Sequence, residues 1–198
     1  MESLKKKVFE VCAGLMTIPE FENWFYRDVE IQCSILEDDN VLRLCSIDLS
    51  RKDARHELCK FCLDVFDNEE FYVFVIEKNA QKMLESKDER EINNYALNIS
   101  SYSGWDDSKH LFNALYVLSY QFDEWEYSCY SSRKQIVDEM KLHAEIITEK
   151  FQVSTLEEKK KWVFAGLDDN ELVRNRPINQ PINFEESTKQ KRWYQFWK

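Results

Sequence analysis

The stretch that decides the fold reads Leu44-Cys45-Ser46-Ile47-Asp48-Leu49-Ser50 and continues from Arg51 to Phe66. Residues 44–49 form a short apolar run, which predicts a buried segment. Ser50 stands three residues before Asp53, where a side-chain oxygen can accept a hydrogen bond from an amide of the first helical turn, so we expect it to be an N-cap. Further along, apolar residues recur at spacings of three and four, which is the period of one helix face. They are Ala54, Leu58, Phe61, Cys62 and Val65.

The same period recurs along most of the chain and predicts an all-α protein. Only three glycines and three prolines are present, too few for the turns of a β-sandwich or for a phosphate-binding loop. The segment 71–76 has the composition of a buried strand, but it runs without a break into a helical pattern, so one long helix is the simpler prediction. We expect a single-domain helical bundle or short α-solenoid-like array of seven to nine helices in residues 1–174.

Several helix ends have recognisable capping residues. Gly14 is placed to end the first helix. Thr17 or Ile18 is expected to cap the second helix, with Pro19 in its first turn. Ser154 or Thr155 is expected to cap the last one.

Charge and composition limit the partners that the protein can bind. Charged residues make up 32% of the chain, the net charge is −10, and no apolar run approaches the ~20 residues that a bilayer span needs. An acidic body repels nucleic acid and anionic membranes and attracts a basic protein. The alternative interpretation is that the acidity serves solubility alone. Because the N-terminus resembles a helix more than a signal peptide, we expect a cytoplasmic protein.

No pattern in the sequence indicates a catalytic, cofactor or metal site. The three histidines, His56, His110 and His143, lie far apart and show no ligand spacing. Cys59 and Cys62 form a C-x-x-C in mid-helix without a second pair, which favours core packing over zinc or redox chemistry. The remaining cysteines are predicted to be reduced thiols, most of them in the core. We therefore expect a protein that is not an enzyme and binds no cofactor.

Two clusters that join tryptophan to acidic residues flank the helix predicted around residues 111–122. Aromatic side chains anchor protein interfaces, and carboxylates attract and pair with the lysines and arginines of a basic partner. The pattern predicts a partner-binding surface, although a core tryptophan beside helix-end acids is an alternative interpretation. The residues concerned are Trp105, Asp106, Asp107, Asp123, Glu124, Trp125, Glu126 and Tyr127.

Residues 15–65 resemble a known group of bacterial proteins. The stretch Phe21-Glu22-Asn23-Trp24-Phe25-Tyr26 and the run from Leu42 to Leu58 resemble small helical immunity proteins of polymorphic or contact-dependent toxin systems. Their pattern is an F-E-x-W-x-Y helix, then L-x-L-I-S-x-D-x-S-x-K-D-A, then E-L. The chain departs from it at Cys45, where the pattern has Ile or Val, and in lacking a Leu-rich acidic segment before Asn40.

The resemblance implies a role and a partner but no site. It implies an immunity protein that binds a cognate toxin domain and blocks its active or substrate-binding surface, without chemistry of its own. Together with the acidic body, it implies a basic toxin, with a nuclease as one candidate class. The alternative hypothesis is a helical scaffold or adaptor protein that binds peptides or subunits of another assembly.

The last residues form a separate pattern. Residues 175–198 lose the helical period, and the final ten combine four basic residues with four aromatic ones. Four exposed rings would aggregate, and the acidic body offers a partner for the positive charges. We expect an extended tail that packs on the body through Trp193, Phe196 and Trp197, with Lys191 and Arg192 facing acids.

Overall fold

The computed structural model describes residues 2–34, 37–103, 110–130 and 132–164 of the chain. These residues form ten α-helices and one short 3-10 helix, with no strand among them. The helices are α1 (Glu2–Cys12), α2 (Ile18–Arg27), α3 (Val29–Ser34), α4 (Asp39–Cys45), α5 (Ala54–Val65), α6 (Asn68–Glu85), α7 (Glu89–Ser103), α8 (His110–Asp123), the 3-10 helix (Trp125–Tyr127), α9 (Arg133–Val153) and α10 (Leu156–Phe164).

The all-α prediction is confirmed, including the segment whose composition also suits a strand. Residues 71–76 lie inside α6, where four of these six positions are buried. A helix that is buried around most of its circumference loses the alternation of apolar and polar residues, which is why its composition is also that of a buried strand. The described ranges contain ten α-helices where the sequence predicts seven to nine, because residues 39–45 form a helix of their own.

The predicted caps at Gly14 and Thr17 are confirmed. Gly14 has φ of 74°, and its N–H donates to the Val11 carbonyl at 3.0 Å, while the next N–H reaches the Glu10 carbonyl at 2.8 Å. This pair of bonds is the Schellman arrangement that ends a helix. Thr17 and Glu20 form a reciprocal capping box at the start of α2.

At the start of α10, Thr155 rather than Ser154 is the capping residue. The backbone N–H of Thr155 donates to the Glu158 carboxylate at 2.8 Å, and the Glu158 N–H donates to the Thr155 hydroxyl at 3.4 Å. These two bonds form a second capping box, as the sequence pattern indicates.

The prediction that Ser50 caps α5 is wrong. The Ser50 hydroxyl and N–H donate to the Asp48 carboxylate at 2.6 and 3.0 Å, which makes a turn rather than a helix start. Asp53 occupies the N-cap position, but its carboxylate pairs with Arg51 and makes no capping bond. The predicted buried run 44–49 is only partly buried, since Leu44 and Leu49 are the positions that reach the core.

The chain divides into two compact units, with boundaries inside α6, at the end of α9 and inside α10. In the first unit, residues 1–78 and 154–160, α1 packs against α5. The ring of Phe9 lies 5.2 to 5.7 Å from the rings of Phe66, Phe71 and Phe74, and this aromatic cluster is part of the core. Lys5 forms an ion pair at 2.6 Å that joins α1 to α6.

The second unit runs from Asn79 to Val153 and includes residues 161–164. Here α7, α8 and α9 pack against one another as a three-helix bundle. Trp162 packs between the rings of Phe112 and Phe151, with ring centroids 5.3 and 5.5 Å away. The predicted domain end at 174 and the predicted tail, residues 175–198, lie outside the described residues.

Candidate partner-binding surface

Helix α8 carries two sharply different faces. Its apolar side is fully packed in the bundle through Leu111, Leu115 and Leu118. Its opposite side exposes two tyrosines, Tyr116 at 49% and Tyr120 at 54% of their full area. Large aromatic side chains held open to solvent on a rigid helix are the residues from which protein interfaces are most often built.

The turn that follows α8 continues this exposed side. Asp123 ends the helix, and the 3-10 helix places Tyr127 outward with 72% of its area exposed. The turn is held by its own hydrogen bonds, because the Tyr127 N–H donates to the Glu124 carbonyl at 3.0 Å and the Ser128 hydroxyl donates to the Trp125 carbonyl at 2.8 Å. The exposed residues therefore stand on a defined backbone rather than on a long loop.

Tyr120 is linked to the acidic turn by its hydroxyl. It hydrogen-bonds with Glu124, and this bond to a carboxylate raises the pKa of Tyr120 above its usual range. The two side chains are four residues apart, which places them on the same helix face. The contact therefore joins an exposed ring to an exposed charge on this surface.

We name this surface the tyrosine–acid face. The sequence from residue 110 to 130 contains no lysine or arginine, so no basic residue of this segment neutralises its three carboxylates. Exposed rings next to unneutralised acids suit a partner that presents apolar surface together with lysine or arginine. The face consists of Tyr116, Val117, Tyr120, Asp123, Glu124, Glu126 and Tyr127.

Of the residues predicted to bind a partner, the second cluster lies on this face with one exception. Asp123, Glu124, Glu126 and Tyr127 are exposed. Trp125 is half-buried, with its ring 6.0 Å from the guanidinium of Arg133. Part of Trp125 therefore packs against its neighbours, which is closer to the alternative interpretation of a core tryptophan beside helix-end acids.

The first cluster, Trp105, Asp106 and Asp107, lies outside the described residues. The sequence prediction missed Tyr116, Val117 and Tyr120, although a signal was present. The two tyrosines are four residues apart and fall opposite the leucine stripe of α8, so they had to face away from the core.

A small cleft adjoins the face at the end of the three-helix bundle. Its volume is about 300 Å³, and it is lined by residues from α7, the end of α8 and the start of α9. Phe122 and Asn93 are buried, and the other lining residues are exposed. The full set is Arg90, Asn93, Asn94, Phe122, Asp123 and Arg133.

Arg133 has a structural role at this cleft. Its Nε donates to the Phe122 carbonyl at 3.2 Å, which satisfies one of the carbonyls left open at the end of α8. Its guanidinium also lies 5.3 Å from the centroid of the Phe122 ring. The cation thereby joins the last turn of α8 to the first turn of α9.

A second cleft lies in the other unit, within the segment that resembles immunity proteins. It has a volume of about 340 Å³ and is lined by charged residues of both signs. Its three cations are paired internally: Arg43 with Asp64 at 2.6 Å, Arg51 with Asp53 at 2.7 Å and Lys60 with Glu57 at 2.9 Å. Charges that satisfy one another in this way leave little for a ligand to neutralise.

The cysteines of α1 and α5 form a cluster in the same unit. Cys12 hydrogen-bonds with Cys59 and with Cys62. The bond with Cys59 favours the Cys12 thiolate, but the bond with Cys62 and burial outweigh it and raise the pKa of Cys12 to about 12. The hydrogen bond with Cys12, together with burial, raises the pKa of Cys59 as well. Protonated thiols are poor nucleophiles, so we interpret this cysteine cluster as part of the packed core rather than as a reactive site.

Outside the core, Cys33 and Cys129 are exposed, which corrects the expectation that most of the cysteines pack in the interior. His56 is exposed as well, and the Nδ1 of His143 lies 2.8 Å from the backbone carbonyl of Glu139. In the described ranges, no three His, Cys, Asp or Glu residues are placed to hold a metal ion.

Among the helices described, none combines the length and apolar character that a bilayer crossing requires. Comparisons of the chain with protein-family models, with curated proteins and with solved structures found no match.

Proposed function

We propose that this protein is a cytoplasmic immunity protein that binds a basic cognate toxin domain through the tyrosine–acid face. By covering the toxin's active or substrate-binding surface, it would neutralise the toxin without chemistry of its own. The observation that carries the proposal is the juxtaposition of three exposed tyrosines with three carboxylates on a rigid helix end. The resemblance of residues 15–65 to immunity proteins supports the cellular role.

Tyrosine and carboxylate contribute to such an interface in different ways. A tyrosine ring buries a large area at a small loss of side-chain freedom, and such anchors commonly account for about 2 kcal/mol or more of binding. Carboxylates around the rings speed the encounter with a basic partner and disfavour acidic proteins. The net charge of −10 extends the same attraction over the whole molecule.

The test is co-expression with the toxin domain encoded next to this gene. We expect the protein to restore growth and to co-purify with the toxin in a stoichiometric complex. If growth is not restored and no complex forms, the proposal is wrong. A stable complex with a protein that is not a toxin would instead support a helical scaffold or adaptor.

The chain offers a matched pair of variants to locate the interface. Tyr120 and Tyr26 have the same exposed fraction, 54%, but Tyr26 lies on α2, outside the tyrosine–acid face. We expect Tyr120→Ala to weaken toxin binding by about thirtyfold, because it truncates an interface anchor. Tyr26→Ala should leave the affinity unchanged. Equal effects of the two variants would remove the face from the interface.

A further inference from the structure

We propose that residues 189–198 bind the tyrosine–acid face of their own chain and shield its rings until a partner displaces them. We name these residues the basic–aromatic segment. The docking of the segment does not depend on the toxin, whereas its competition with the toxin rests on the proposed function. Three observations carry the inference: the exposed rings of the face, the charges of the face and of the segment, and the length of chain between them.

The first observation is the apolar part of the face. Three tyrosine rings are exposed there, and Val117 adds an exposed aliphatic side chain. They lie on one end of α8 and on the turn that follows it, so they form one patch rather than scattered single residues. An apolar patch rimmed by polar residues commonly marks an interaction site. The face therefore offers packing area to a segment that is rich in aromatic side chains.

The second observation is the charge of the face and of the segment. Asp123, Glu124 and Glu126 form no ion pair in the described part of the chain. The basic–aromatic segment has the opposite charge, with four lysine or arginine residues, four aromatic residues among them and no acid. Carboxylates pair with lysine and arginine, and aromatic rings pack on one another. The two surfaces are therefore complementary in charge and in ring content.

Charge also favours this occupant over others. The whole chain has a net charge of −10, so the part that precedes the basic segment is more acidic still. Such a body repels nucleic acid, anionic membranes and a second copy of itself. A segment of the same chain is instead presented to the face at an effective concentration on the order of millimolar. Even modest affinity then covers the face for much of the time.

The third observation is the place where the described chain ends. The ring of Trp162 lies 5.3 Å from the ring of Phe112, in the first turn of α8 and in the same compact unit. The 14 residues of α8 extend over ~21 Å at 1.5 Å per residue. Residues 165–188 can span at most roughly 80 Å, so the basic–aromatic segment can reach the far end of α8.

Shielding would change how the face meets its partners. The apparent affinity for a partner falls in proportion to the fraction of molecules in which the face is open. A face that is covered in about two thirds of the molecules binds its partner about threefold more weakly. Covered rings are also less available for non-specific association. A toxin domain that contacts the whole face would still displace the segment.

The experiment places a nitroxide spin label on Cys129, an exposed thiol two residues from Tyr127. The full chain carries Cys33→Ser, which removes the other exposed thiol. The label broadens the NMR signals of protons near it. We expect the indole N–H signals of Trp193 and Trp197 to lose most of their intensity and to regain it when the label is reduced. Unchanged intensities would overturn the inference.

Two matched variants of the labelled chain test whether the segment binds this face. Glu124→Lys/Glu126→Lys should restore the indole signals, because it places like charges against the segment. Glu85→Lys/Asp138→Lys makes the same change in net charge at exposed acids outside the face and should leave the signals broadened. Equal behaviour of the two variants would contradict the inference.

A mixed sample distinguishes the chain's own segment from that of a second copy. An isotope-labelled chain with both exposed cysteines replaced by serine is mixed with a spin-labelled chain that carries no isotope. We expect no broadening in this sample. Broadening would show that the segment binds the face of another copy, and the inference would be wrong.

Calorimetry with the toxin domain tests the competition. The variant Trp193→Ala/Trp197→Ala should bind the toxin about threefold more tightly than the unmodified chain, because its face is open. Unchanged affinity would contradict the shielding, and weaker binding would make the segment part of the toxin interface instead. If the chain binds no toxin at all, the proposed function fails, while the spin-label result still decides whether the segment docks.

Discussion

Replacing Gly14 by alanine tests the junction between α1 and α5 most sharply. The φ of 74° at this position is left-handed, and an L-residue there costs about 1–2 kcal/mol. The new Cβ would lie 2.8 Å from Nη2 of Arg55, which donates to the Cys12 carbonyl at 3.0 Å. Because Nη2 is the end of a flexible side chain, Arg55 can move away, at the loss of a hydrogen bond worth about 1 kcal/mol.

The two terms together predict that Gly14→Ala lowers the free energy of unfolding by about 2–3 kcal/mol. Urea denaturation followed by circular dichroism measures this value directly, and the melting temperature should fall by about 4–12 °C for a chain of this length. In an Arg55→Ala background the hydrogen bond to the Cys12 carbonyl is already absent, so Gly14→Ala should lower the free energy of unfolding by only about 1–2 kcal/mol.

Gly14→Asn is the matched control, because it introduces the same Cβ but tolerates the left-handed conformation better than alanine. It should be less destabilising than alanine. A loss below about 0.5 kcal/mol for Gly14→Ala would refute the Schellman ending of α1.

Two further predictions concern titration and reactivity. The hydrogen bond from Lys160 lowers the pKa of Asp67, so the stabilisation from this ion pair is present above the unfolded pKa near 4 and is lost as the pH falls through the folded pKa. Because the carboxylate is exposed, urea denaturation at a series of pH values should assign only about 0.5 kcal/mol of the acid destabilisation to this pair. The Asp67→Asn variant should lack that part of the pH dependence. Iodoacetamide at pH 8 should alkylate the exposed Cys33 and Cys129 in the native protein, as measured by mass spectrometry. Cys12 should stay unmodified, because it is buried and its pKa is raised. Rapid labelling of Cys12 would contradict its burial.

The sequence was sufficient where one periodic signal decided the structure. Helices α5, α8 and α9 follow from their apolar spacing, and the capping boxes at Thr17 and Thr155 follow from a Glu three residues later. These are local effects, since each depends on residues within about one helical turn.

The errors came from competition between neighbouring polar groups. Asp48 and Asp38 are both acids in a turn, but Asp38 accepts from the N–H groups of Asn40 and Val41 and starts α4, whereas Asp48 holds Ser50 in a turn. Single-residue preferences cannot tell which partner such a side chain chooses. Helix α4 was therefore missed and Ser50 misassigned.

Of the two candidate surfaces, one could be predicted from local sequence spacing and the other could not. Tyr120 and Glu124 belong to one helix face and its extension, so their proximity could be predicted from spacing. The cleft joins α7 to the ends of α8 and α9, and no local pattern links Asn93 or Arg90 to Arg133. That cleft follows only from the packing of the bundle.

The most direct test of the account reverses the charge of the tyrosine–acid face and measures the dissociation constant for the toxin domain by calorimetry. The double variant Glu124→Lys/Glu126→Lys should weaken binding by about a hundredfold or more, because it places like charges against a basic partner. The control, Glu85→Lys/Asp138→Lys, makes the same change in net charge at two exposed acids outside the face and should alter the affinity by less than about threefold. If both double variants weaken binding equally, or if neither does, the tyrosine–acid face is not where the partner binds.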